Sequence, residues 1–179
     1  MSSLATLTVS GRAAIASAIK SQTLHFALGS GDPAWDDDAD KNHLKEILVH
    51  KTALENELGR RTVNAVGFVT PDPDGDVVIP LGRQSDGTIE QGRFRQVTEP
   101  TSYLFLRVNF DFDDASNQIV REVAVFMNTE VDPELPPGQR YFKPDQLAGR
   151  GHLLAIQRYD PPIHRSPATR ESFEFVLAI

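Results

Sequence analysis

The chain has no cysteine among its 179 residues, which excludes disulfide frameworks, thiolate metal sites and cysteine nucleophiles together. It is also short of basic charge: 18 lysines and arginines stand against 25 acids, a formal net charge of -7. That balance argues against a general binder of phosphate backbones, so no nucleic-acid partner is expected. No apolar run approaches the roughly 20 residues needed to span a bilayer, so no membrane partner is expected either. Met1–Thr6 has no basic region leading into an apolar stretch, and no signal peptide is read there. The simplest expectation is a soluble protein made in the cytoplasm.

Chemical motifs are missing as well. The five histidines, His25, His43, His50, His152 and His164, show no metal-binding His-x-x-x-His or His-Glu-x-x-His spacing. There is no nucleophile elbow, Walker loop or dinucleotide fingerprint; Gly29-Ser30-Gly31 lacks both a third glycine and a P-loop lysine. The acids Asp32, Asp36, Asp37, Asp38 and Asp40 do not alternate as a calcium loop requires, and read better as a solvated loop with capping acids. Asp72, Asp74 and Asp76 stand among prolines and a glycine, as in a hairpin turn. No catalytic residue, cofactor or metal is therefore assigned, and the chain is not expected to be an enzyme.

What is present is an ordinary globular composition, 40% hydrophobic and 24% charged, enough to bury one core. Ser10 is a candidate N-cap for a helix from Gly11 to about Ser21, with Ala14, Ile15, Ala18 and Ile19 on one face. A strand is expected over Thr23–Leu28. A second helix is expected from a cap at Asp40 to about Leu58, ended by Gly59. From Thr62 the texture is β: a strand to Thr70, a turn at Pro71–Asp76, and a returning strand at Val77–Ile79. Ser85-Asp86-Gly87 marks another turn. Asp132–Gly151 is a long connection rich in proline and glycine, of the kind that contacts partners. His152–Tyr159 and Glu171–Ile179 read as final strands. The fold class expected is α+β, a mixed or antiparallel β-sheet with two N-terminal helices and long Pro/Gly-rich loops. One structural domain is expected over 1–179, helical in 1–60 and β-rich in 61–179.

The strongest pattern is Tyr103–Asp113. Leu104, Leu106, Val108, Phe110 and Phe112 alternate with Arg107, Asn109, Asp111 and Asp113, the period of a strand with one buried face. Ile119–Met127 is expected to return as the second strand of a hairpin, carrying Arg121-Glu122 directly before Val-Ala-Val-Phe. Elsewhere, Arg83, Arg93 and Arg95 around Phe94 form a candidate basic, aromatic patch, most simply the rim of a protein interface. Trp35, Tyr103, Tyr141 and Tyr159 are candidate stacking residues for a rival reading, a small ligand- or glycan-binding module. A hydrolase using the Asp32–Asp40 carboxylates ranks last.

Leu7-Thr8-Val9-Ser10-Gly11-Arg12-Ala13-Ala14-Ile15, then Leu24–Gly31, and later Arg121–Phe126 together resemble the N-terminal attachment domains of bacteriophage tail-fibre and tail-collar proteins. The order and spacing agree over residues 4 to about 127. The resemblance implies a stand-alone baseplate or tail component of a contractile-tailed phage, made in the host cytoplasm and resident in the virion. Its partners would be other tail and baseplate proteins and copies of itself. Gly11, Gly29, Gly31, Arg121 and Glu122 would be architectural residues; Gly29, Gly31, Arg121 and Glu122, with Trp35, Arg93 and Arg95, form the candidate interaction set.

Overall fold

A computed structural model describes residues 5–39, 43, 48–83 and 88–179, with the backbone alone at 81–83. Strands take 48% of the chain and helical turns 15%, so the fold is mostly β rather than α+β. One α-helix has its bounds within the described residues, α1 (Val9–Lys20), and the isolated described residue His43 is also α-helical. α1 starts earlier than Ser10 suggests: Thr8 is the N-cap, and its hydroxyl accepts the Gly11 N–H at 3.1 Å. Its buried residue is Ala16, while Ala14, Ile15 and Ala18 of the expected face are exposed.

The second helix is not there over its C-terminal half. Leu48–His50 is a single 3-10 turn, and Gly59, expected to end the helix, lies inside strand β2 (Glu57–Thr62). The expected cap at Asp40 lies outside the described residues, as do the turn Ser85-Asp86-Gly87 and the side chain of Arg83. Local propensity is a weak prior here: Val49 and Thr52 are β-branched, and the backbone from Glu57 onward gains a partner strand that a helix would forgo.

The strands build two five-stranded sheets. In one the order is β11 (His152–His164), β7 (Ile119–Met127), β1 (Leu24–Gly29), β2 and β9 (Tyr141–Phe142), with antiparallel pairing along the described ladders. In the other it is β12 (Glu171–Ala178), β6 (Tyr103–Phe110), β3 (Ala65–Pro71), β5 (Ile89–Val97) and β4 (Val77–Arg83). A short ribbon joins β8 (Glu130–Val131) to β10 (Leu147–Gly149) within the long connection. Two expected hairpins are therefore absent. The strand after the Pro71–Asp76 turn does not pair with β3, because β5 lies between β3 and β4. β6 and β7 belong to different sheets, although Leu104, Leu106, Val108 and Phe110 are buried and Arg107 and Asn109 exposed as the alternation requires. Alternation specifies a buried face and not a neighbour. The chain between them is an anchored loop: the Asp114 carboxylate accepts the Asp111 N–H at 2.7 Å and pairs with the Arg61 guanidinium.

The chain divides into two compact units. One holds residues 1–21, 64–107 and 173–179, around Val69, Val77, Ile79, Phe94 and Phe105. The other holds 22–63 and 108–172, with Ala27, Leu54, Ala124 and Phe126 in its core. β1 is buried at every residue and β7 at all but its ends, so neither strand shows the period of a half-exposed sheet.

Candidate functional site

Gly29, Glu122 and Arg158 form one row across β1, β7 and β11: Gly29 is the Cα partner of Glu122, and Glu122 the partner of Arg158. A carboxylate in a buried central strand must find its partners inside the protein. Glu122 is 1% exposed, and its Oε2 accepts from Arg158 Nε at 3.4 Å while its Oε1 accepts the backbone N–H of Glu55. Burial raises the carboxyl pKa, opposed by the Glu55 N–H and the Arg158 charge and reinforced by the Glu55 charge. The glycine makes the room. A Cβ on Gly29 would lie 2.9 Å from Glu122 Cγ and 3.2 Å from Leu54 Cβ.

Arg121 works on the segment that follows β1. Its Nε and Nη2 donate to the two Asp36 oxygens at 2.9 and 2.6 Å, a bidentate fork, and its Nη1 donates to the Ser30 carbonyl at 2.8 Å. The Asp36 hydrogen bond raises the Arg121 pKa further. Asp36 belongs to a 3-10 turn, Pro33–Asp37, capped by Asp32, whose Oδ1 accepts the Ala34 N–H at 2.9 Å. Trp35 of the same turn stacks on His43, with centroids 5.4 Å apart and planes 6° apart, and the Arg158 guanidinium lies 4.1 Å from the Trp35 ring. Arg158 Nη1 also donates to the His43 carbonyl at 2.6 Å. Gly31 permits the turn by its φ of +62°, and a Cβ there would lie 2.4 Å from the Trp35 ring.

Five residues from the candidate set thus meet in one place: Gly29, Gly31, Trp35, Arg121 and Glu122. The other two are elsewhere. Arg93 and Arg95 stand on the exposed side of β5, with Phe94 between them buried in the opposite direction. Arg95 pairs with Asp72 at 2.6 Å, and Arg93 donates to the Gly75 carbonyl at 3.3 Å. The stacking candidates do not converge. Trp35 is sandwiched as described, Tyr141 donates to the Leu58 carbonyl at 3.0 Å, and burial pushes the Tyr159 pKa up to about 12. Tyr103 packs on Phe94 at 5.9 Å.

Three buried arginines escape a reading of the sequence: Arg60, Arg158 and Arg165. Arg60 is 0% exposed, lies 3.5 Å over the Phe126 ring, and donates to Glu57 at 2.6 and 3.0 Å, to Thr129 at 2.9 Å and to the Arg150 carbonyl. Arg165 donates to the Asp111 and Asp114 carbonyls at 2.6 and 3.2 Å and pairs with Glu171 at 3.2 Å. Arg60 pairs with Glu57 three residues away, but its other acceptors, and the carbonyls that Arg158 and Arg165 bond, are distant in sequence. No local pattern announces such a partner. Among the described residues, no group of three or more His, Asp or Glu side chains is arranged to hold a metal. The chemistry this cluster displays is charge pairing in a dry interior, which holds loops in place.

No curated protein matches the chain. A family model does, over residues 4–179, described as baseplate wedge 3 tail fiber network component. That match agrees with the phage tail resemblance carried by Leu7–Ile15, Leu24–Gly31 and Arg121–Phe126. The chain accordingly belongs to the baseplate wedge 3 tail fiber network component family, structural proteins of the phage baseplate and tail-fibre network in the virion.

Proposed function

We propose that this chain is a non-catalytic adaptor, present in several copies, that joins neighbouring proteins of a contractile tail: tube, sheath, wedge or fibre. The observation that carries this reading is the match to a network component over residues 4–179. The arginine clamps support it. Arg60 reaches Thr129 just before the long connection and Arg150 near its end, and Arg165 holds the loop after β6. Loops already held in one conformation lose less entropy when a partner docks. Arg93 and Arg95, exposed on β5, are the candidate contact residues, since arginine is enriched at interfaces. Gly29, Gly31 and Glu122 would act indirectly, by shaping the loops.

Electron microscopy of purified particles tests the reading. Density for this chain touching at least two different tail proteins is expected; its absence from every particle overturns the proposal.

A ligand-binding module is the alternative, favoured by one feature: a groove of about 960 Å³ beside α1, bordered by Ser17, Thr101 and Tyr103. Two of its hydroxyls already donate inside the protein, Ser17 to the Ala13 carbonyl at 2.9 Å and Thr101 to the Val69 carbonyl at 2.7 Å. Saturable glycan binding lost on Tyr103→Ala would favour this alternative.

A further inference from the structure

We propose that Gly31–Asp38 is a strap that opens as a unit while the sheet beneath it stays folded. The inference does not depend on the adaptor reading. It rests on what holds the strap and what does not.

At its near end the strap is tied by backbone bonds, Ser30 N–H to the Asn56 carbonyl at 3.1 Å and Gly31 N–H to the Glu55 carbonyl at 3.0 Å. Beyond Gly31 no residue of the 3-10 turn is buried. The fastenings there include, among the described residues, the Arg121–Asp36 fork, the Asp38–His43 pair at 3.9 Å, and the contacts of Trp35 with His43 and Arg158. The two halves of each fastening differ in kind. Arg121 and Arg158 are 6% and 8% exposed and are set in long paired strands, so they stay where they are. Asp36, with 38% of its side chain exposed, is on the movable part and in reach of salt. Segments with few buried apolar contacts open well before the core does. The Arg121 fork and the Trp35 face would be uncovered together by opening, and both are side-chain types that anchor interfaces. A neighbour bearing a carboxylate could then take the place of Asp36.

Trp35 is the single tryptophan of the chain, so its fluorescence reports the strap alone. The experiment measures native-state amide exchange at Gly31 and Trp35, and acrylamide quenching of Trp35, on the full chain from low to molar sodium chloride. Asp36→Asn, a change at a half-exposed position, is measured alongside, with far-UV circular dichroism as the record of the sheet. The expected result is exchange at both amides faster than at the buried amides of β7. It should accelerate about fivefold in Asp36→Asn, the equivalent of losing an ion pair worth about 1 kcal/mol. Salt should produce the same acceleration in the wild type and little more in the variant. Exchange at Gly31 and Trp35 that matches the β7 amides and ignores salt would overturn the strap. So would an Asp36→Asn chain whose Trp35 quenching equals that of the wild type.

Discussion

Gly29 and Glu122 face each other across the β1–β7 ladder, and the glycine has no side chain because the glutamate occupies the space it would fill. A Cβ at Gly29 would come within 2.9 Å of Glu122 Cγ, closer than side-chain carbons tolerate. Gly29→Ala should therefore destabilise the protein by about 1–3 kcal/mol, the usual cost of overpacking a core. Gly67, within β3, provides the contrast, since a Cβ there meets nothing within 4 Å. Gly67→Ala should be neutral or stabilise by about 0.4–1 kcal/mol, through the loss of unfolded-chain freedom. Urea midpoints of the two variants check both signs.

Arg158 is the charge that makes a buried Glu122 acceptable. Arg158→Ala should cost about 3–5 kcal/mol at neutral pH, because the carboxylate is left without its cation. The loss should shrink in acid, where Glu122 is protonated. Pairing Arg158→Met with Glu122→Gln should recover much of the stability, since the amide still accepts the Glu55 N–H. A double-mutant cycle reads the coupling; additive losses would show that the two residues act separately.

His25 sets a pH dependence. It is 3% exposed, and burial, helped by the nearby Arg60 charge, lowers its pKa from 6.5 to about 4. The unfolded chain therefore takes up a proton below pH 6.5 that the folded chain refuses until about pH 4. The contribution is complete above the unfolded value and is lost as pH falls through this window, about 3 kcal/mol in all. Glu122 runs the other way: its raised pKa favours the folded state in acid, and that part fades as pH rises past the ordinary glutamate value of 4.5. Stability measured by urea titration from pH 7 down to 4.5 should fall more steeply in the wild type than in His25→Gln. Equal slopes would show that the imidazole is not the group responsible.

Arg93 and Arg95 test the partner surface. Both are exposed on β5, where Arg95 pairs with Asp72 and Arg93 donates to the Gly75 carbonyl. Arg93→Glu with Arg95→Glu should leave the urea midpoint of the purified chain nearly unchanged while reducing its incorporation into tail particles. Quantifying the chain in purified particles by mass spectrometry checks this. Unchanged incorporation would place the contact elsewhere.

The legible parts of this fold are the ones with a local cause. Alternation over Leu104–Phe110 was readable because a half-buried strand repeats every two residues, and the structure buries Leu104, Leu106, Val108 and Phe110, while Phe112, expected on the same face, lies beyond the end of β6 and is 40% exposed. The apolar run at Leu24–Leu28 was readable as a strand for its length and ending. The segment Asp40–Leu58 was not, since an amphipathic pattern describes what a helix would bury, and from Glu57 onward the chain pairs in a sheet instead. Strand neighbours were also illegible. Nothing in Val77–Ile79 says that β5 will come between it and β3.

The same division runs through the site. The sequence by itself determined that no thiol chemistry is possible, that the chain is acidic, and that Arg121-Glu122 opens an apolar strand after Gly29-Ser30-Gly31. Those are matters of composition and order. Only the tertiary structure decided that Glu122 meets Gly29 and Arg158 in one row, that Arg121 takes Asp36, and that Arg60 and Arg165 are buried at all. The reason is that a buried charge is specified by its partners, and apart from Glu57 beside Arg60 and Glu171 near Arg165 these come from distant parts of the chain, brought within hydrogen-bond distance by the fold.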